Sequence, residues 1–171
     1  MGLALGPWLD VVVVGETRGW LGQSLWLREI AGREEGAPPP VDLAAERGVG
    51  DFVRSQILAG NVRACHDVSD GGLLVAVAEM AMAGLTGVRI FTGPREIPGH
   101  AFWFGEDQGR YVLAVPDAGV MVRAAEAAGL PAMRIGTSGG QDLTLPDGGT
   151  ISVRALRAAH ERFFPSWMDG N

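Results

Sequence analysis

Three stretches of the sequence carry residue types whose spacing could do chemistry. The first is ACHDVSDGG, residues 64–72, which sets His66, Asp67, Ser69 and Asp70 directly ahead of two glycines and the apolar run LLVAVAEMAMAG. If residues 62–65 form a strand and Gly72 opens a helix, the loop lies where backbone N–H groups converge and the helix dipole is positive. Such a place favours a phosphate or a carboxylate. Gly71 and Gly72 would let a ligand approach the backbone without meeting a Cβ. The same string also has a purely structural reading: Ser69 or Asp70 caps the helix, while His66 and Asp67 fix the loop through bonds to the backbone.

The second stretch is FWFGEDQGRYVLAV, residues 102–115. In an extended chain Glu106 and Gln108 share a face and Asp107 points the other way. The first two could take hydroxyls or an amide of a small polar ligand, with Arg110 available for a carboxylate or phosphate. The structural alternative is a solvated hairpin tip between Gly105 and Gly109. The third stretch, GETRGWLGQS, has glycines at 15, 19 and 22 that superficially resemble a phosphate loop. No helix signal follows at once, so a structural turn is the expectation there.

Other chemistries find little support. All 14 basic residues are arginine, which excludes a Walker-type phosphate lysine, a Schiff-base lysine and a lysine general base. His66, His100 and His160 are isolated, without the spacing of a zinc site. Cys65 and His66 are adjacent, a poor geometry for a nucleophile and its base. Cys65, being the only cysteine, cannot form an internal disulfide and reads as a buried inert thiol of a reducing cytoplasm. A net charge of −6 and a pI near 5.0 argue against a nucleic-acid surface. The opening MGLALGPWLDVVVVG has neither a basic leader nor a long apolar run, so no signal peptide or membrane span is expected.

The elements that must position these residues follow from hydrophobic pattern and breakers. Strands are predicted at 11–14, 62–65, 88–91, 101–104, 111–115, 132–135, 143–145 and 150–153. Helices are predicted at 25–30, 41–59, 72–83, 117–128 and 155–164. Leu43, Phe52, Val53, Ile57 and Leu58 would form the apolar side of the second helix, and Gly84 would stop the third. Hairpins mixed with crossovers predict a single α+β domain with a mixed sheet and helices packed against it, not a doubly wound parallel sheet.

Several pieces together resemble a known family. GETRG…LGQSLWLREI, APPPVDLAAERGVGDFVRSQI, CHDVSDGGLLVAVAEMAMA, FGEDQGRYVLAV and RIGTSGG…LTL…ISVRALRAAHE resemble, in that order, the C-terminal domains of phosphoribosylformylglycinamidine synthase subunit II. These belong with the aminoimidazole ribonucleotide synthetase-related C-terminal domains, and the resemblance implies their fold, a mixed, largely antiparallel sheet with packed helices in a three-layer α/β/α arrangement. The resemblance implies the final domain of an ATP- and magnesium-dependent carbon–nitrogen ligase of purine biosynthesis. Such a ligase turns formylglycinamide ribonucleotide and glutamine-derived ammonia into the amidine. Its implied partners are the remaining synthase domains, a glutaminase subunit and a small third subunit, all cytoplasmic.

The family's sites carry over residue by residue. Glu106 and Gln108 match a substrate-binding string in which Asp107 replaces a serine. Asp67 falls at an aspartate that the first of the family's two tandem copies associates with magnesium, and Asp70 and Gly71 replace small residues there. Ser69, Asp70, Gly71 and Gly72 remain the phosphate or helix-mouth loop read above from the residues. The catalytic histidine and the main ATP-binding segments are implied to lie in other domains, so the chain alone is expected to be catalytically silent, with no tightly bound cofactor. A free-standing binding or scaffold domain for a phosphorylated metabolite or protein partner is the alternative.

Overall fold

Val11 to Val14 are all buried, and their alternation sends Val11 and Val13 into one core and Val12 and Val14 into another. A strand with both faces covered must be central to a three-layer structure. The computed structural model, which describes residues 2–91 and 93–168, shows this arrangement. In chain order its elements are β1 (Asp10–Val14), α1 (Leu25–Glu29), α2 (Leu43–Leu58), β2 (Ala64–Asp67), α3 (Gly72–Gly84), β3 (Val88–Ile90) and α4 (Gly99–Phe104). Then follow β4 (Tyr111–Val115), α5 (Ala118–Ala127), β5 (Ala132–Ser138), β6 (Asp142–Thr144), β7 (Thr150–Ser152) and α6 (Val153–Met168).

The seven strands form one sheet in the order β2-β4-β1-β5-β3-β6-β7. Among the described residues β3 and β6 are the one strand pair that runs in parallel, with an isolated parallel bridge of Gly2 to Ala64 at the edge of β2; the other strand pairs are antiparallel. This is the mixed, largely antiparallel α+β sheet that the sequence predicts. One face is covered by α3, α4 and the start of α6, whose Leu73, Met80, Phe102 and Val153 join Val11 and Val13. On the other face Val49 and Val53 of α2 and Met121 of α5 meet Val12 and Val14.

Several local expectations are corrected. Residues 101–104, read as a strand from the run AFWF, are helical: the Phe102 N–H donates to the Pro98 carbonyl at 2.9 Å and the Gly105 N–H to that of Ala101 at 2.8 Å. A short apolar run has no period of its own to decide between helix and strand. Here both Phe102 and Trp103 are buried, which one side of a half-covered strand could not achieve. On α2, Leu43 and Leu58 are exposed, because the inward stripe runs through Val49 and Val53. Leu85 rather than Gly84 takes the left-handed turn ending α3 (φ 48°). Gly84 is required for another reason: a Cβ there would collide with the Leu5 backbone.

Candidate functional site

The fold brings the three polar stretches together at one end of the sheet, because β2 and β4 are neighbours. The Val68 N–H donates to the Arg110 carbonyl at 2.9 Å, tying the loop after β2 to the loop before β4. Gly72 (φ +74°) lies so close that a Cβ would sit 2.6 Å from the Gly105 carbonyl oxygen. The glycine that could have admitted a ligand thus admits the protein's own backbone.

Ser69 and Asp70 do not cap α3. Its N-cap is Gly71 (φ 79°), which has no side-chain cap, and both polar residues are exposed. The cap arrives from far along the chain: Glu106 Oε1 accepts from the Gly71 N–H and from the Leu25 N–H, each at 2.8 Å. One carboxylate therefore satisfies the mouths of α3 and α1 together. A carboxylate is suited to that position because both helix ends present free amides and positive dipole.

Asp107 does the same for the GETRGWLGQS loop. It is 6% exposed and accepts from the Gly19 N–H at 2.9 Å and the Trp20 N–H at 3.3 Å. The likeness of this loop to a phosphate cradle has a chemical basis, but the anion it cradles is internal. Beneath it, Arg110 is only 1% exposed. Its Nη2 donates to the Gly105 carbonyl at 2.6 Å, its Nε to the Asp107 carbonyl at 3.1 Å and its Nη1 to Thr17 Oγ1 at 3.3 Å. Burial pushes the guanidinium below its ordinary pKa, and the Asp107 carboxylate, with Oδ2 3.8 Å away, opposes that shift. Arg110 is thus a structural cation, unlike the free anion receptor that an extended reading allows.

Glu106 and Gln108 do not share a face as an extended segment would have them. Residues 105–110 form a bend between α4 and β4, with Glu106 turned inward and Gln108 exposed. The Gln108 amide donates only to the Glu106 carbonyl, at 3.3 Å. It lines a depression of about 100 Å³ shared with Asp42, Glu46 and Asp107.

Asp67 faces the opposite way. It ends β2 with its side chain 66% exposed, its Oδ1 3.2 Å from His66 Nδ1. The other ring nitrogen of His66 lies 2.9 Å from Glu79 Oε2. These groups, with Ser69 and with His160 and Glu161 of α6, border a cleft of about 590 Å³. Sequence reasoning missed Glu79, 13 residues from His66, and His160 and Glu161 of the last helix, which come together here only through helix packing. Among the described residues no group of three His, Cys, Asp or Glu side chains could hold a metal ion. Asp67 alone does not fit a resident magnesium, which needs further oxygens from phosphate, water or other carboxylates. On the same strand, burial and the Asp67 charge push the Cys65 thiol up to about 11, in keeping with an inert cysteine. No helix among the described residues is long and apolar enough to cross a membrane.

Comparison with known proteins gives this geometry its context. Residues 10–146 match the family model described as AIR synthase related protein, C-terminal domain. The phosphoribosylformylglycinamidine synthase subunit PurL of Acidiphilium cryptum is 61% identical over 167 residues, 98% of this chain and 23% of the relative. The chain therefore spans under a quarter of that relative's length. Among solved structures, Thermotoga maritima PurL complexed with FGAR superposes with a TM-score of 0.74 at 15% identity, covering 91% of this chain and 29% of that one. The same protein complexed with ATP and in the PurLQS structure gives 0.71 and 0.70. At such identities these likenesses establish the fold.

Proposed function

Because the chain belongs to the AIR synthase related protein C-terminal domain family, we propose that it works as the final domain of a phosphoribosylformylglycinamidine synthase. The observation that carries this is the 61% identity over 98% of the chain to PurL of A. cryptum. In the reaction proposed for the whole enzyme, ATP phosphorylates the glycinamide carbonyl oxygen of formylglycinamide ribonucleotide, and the formyl group is left untouched. Ammonia then adds at the glycinamide carbonyl carbon and phosphate leaves, giving the amidine, ADP and phosphate. The T. maritima complexes with FGAR and ATP support this substrate pair, and the PurLQS structure supports partner subunits, here a glutaminase and a small third subunit in the cytoplasm.

Within this assembly the chain's own residues divide by direction. Glu106 and Asp107 spend their charge on the amides of Gly71, Leu25, Gly19 and Trp20, so in this domain the family's substrate-binding string holds loops in place. The Gly71 N–H, where a phosphate would have docked, is already taken by Glu106. Asp67 and the exposed Ser69 and Asp70 form the wall that faces the rest of the enzyme. A phosphate-bound magnesium meeting Asp67 would take its other ligands from outside this chain. By itself the chain lacks the catalytic and nucleotide-binding groups and is silent.

The test is a chimera in which this chain replaces the matching segment of A. cryptum PurL. It would be assayed beside the isolated chain with formylglycinamide ribonucleotide, ATP, magnesium and ammonia. Amidine from the chimera and none from the isolated chain is expected. A folded chimera without activity, or turnover by the 171 residues alone, would overturn the reading.

A further inference from the structure

The last helix carries more apolar surface than this domain can bury. Residues 157, 160 and 161 of α6 border the cleft at Asp67, and helical spacing of three and four continues the same stripe through Phe164, Trp167 and Met168. Those three are 69%, 75% and 82% exposed. Phe163, 59% exposed, stands edge-to-face to Phe164 with ring centroids 5.4 Å apart. A contiguous exposed patch of large apolar side chains marks an interaction surface. In contrast, the first half of α6 is seated against α3, with Val153 and Leu156 in the core.

We propose that the second half of α6, together with the adjoining cleft, is the docking surface for another domain of the longer synthase chain. This rests on the function proposed above. Three observations select that occupant. The chain matches only 23% of the length of its A. cryptum relative, so most of such a polypeptide remains to cover this face. The apolar stripe is continuous with the cleft that holds the exposed Asp67. The cleft also carries three carboxylates, Asp67, Glu79 and Glu161, against one arginine, Arg157, and the two histidines His66 and His160. Glu161 engages Arg157 at 2.6 Å and His66 lies between Asp67 and Glu79, so with neutral imidazoles the balance is acidic. The partner surface is therefore an apolar face flanked by arginine or lysine, with the aromatic rings of α6 as its anchors.

Amide hydrogen exchange in the isolated chain and in the full-length chimera tests this. Peptides covering residues 157–168 should exchange at least about tenfold more slowly in the chimera, as docking suppresses local opening. Phe164→Ala with Trp167→Ala should abolish that slowing, while peptides of β1 and β4 keep the protection they have in the parent chimera and report an intact fold. An amidine-forming chimera with no slowing at 157–168 would overturn the docking and leave the function standing. Slowing in a folded chimera that makes no amidine would uphold the docking and remove the function. Slowing in the isolated chain that grows with its concentration would assign the face to a second copy and also overturn the proposal.

Discussion

The two acidic loops at the end of the sheet are built from similar strings, and they face opposite ways. In FGEDQGR both carboxylates turn inward and accept hydrogen bonds from four backbone amides. In HDVSDGG, Asp67 and Asp70 turn outward. What separates them is where free amides lie. The helix mouths and the glycine turn at residues 19 and 20 surround Glu106 and Asp107, whereas Asp67 ends an edge strand of the sheet. A carboxylate beside unsatisfied N–H groups becomes part of the fold, and one at an edge is left for a partner.

The contrast can be broken most severely through Arg110, which anchors the inward loop from below. Arg110→Met would leave the Gly105 carbonyl and the Asp107 carboxylate buried without their cation, and a loss of about 3–5 kcal/mol in urea unfolding is expected. Gly72→Ala attacks the seam between the loops. Its positive φ and the 2.6 Å approach to the Gly105 oxygen should cost about 1–3 kcal/mol, read from the same unfolding curves.

A smaller effect sharpens the picture on the strand leading to the outward loop. Cys65, with its pKa raised from 9.0 to about 11, should react with a disulfide reagent at pH 8 on the order of a hundredfold more slowly in the folded chain than in urea. Since the folded pKa is the raised one, any stabilisation from the neutral thiol is complete below pH 9. It is lost as pH climbs toward 11, so Cys65→Ala should flatten the alkaline fall in stability across that window. Equal reactivity in the folded and unfolded chains would show that the β2 edge is open.

Much of the fold was legible because it depends on local pattern. The valine run specified a doubly buried strand, and the polar breaks set most element limits. The strand expected at 101–104 failed because AFWF has no period, and the sequence does not reveal that it would continue the turn begun at Pro98 and Gly99 as the helix α4. The capping of α3 was illegible for a different reason. Ser69 and Asp70 are the nearest cap-forming residues, but the acceptor that reaches Gly71 lies 35 residues away in sequence and is delivered only by the pairing of β2 with β4. The aromatic face of α6 was equally hidden, since FFPSWM shows where large side chains fall and not which of them lack a neighbour.

The most direct test of this division is equilibrium urea unfolding of Glu106→Ala and Asp67→Ala side by side. Glu106→Ala leaves two amides without their charged acceptor and should lose about 2–3 kcal/mol, with Glu106→Gln losing less. Asp67→Ala, at an exposed position, should stay within about 0.5 kcal/mol of the parent. Equal losses, or a larger loss at Asp67, would contradict the account.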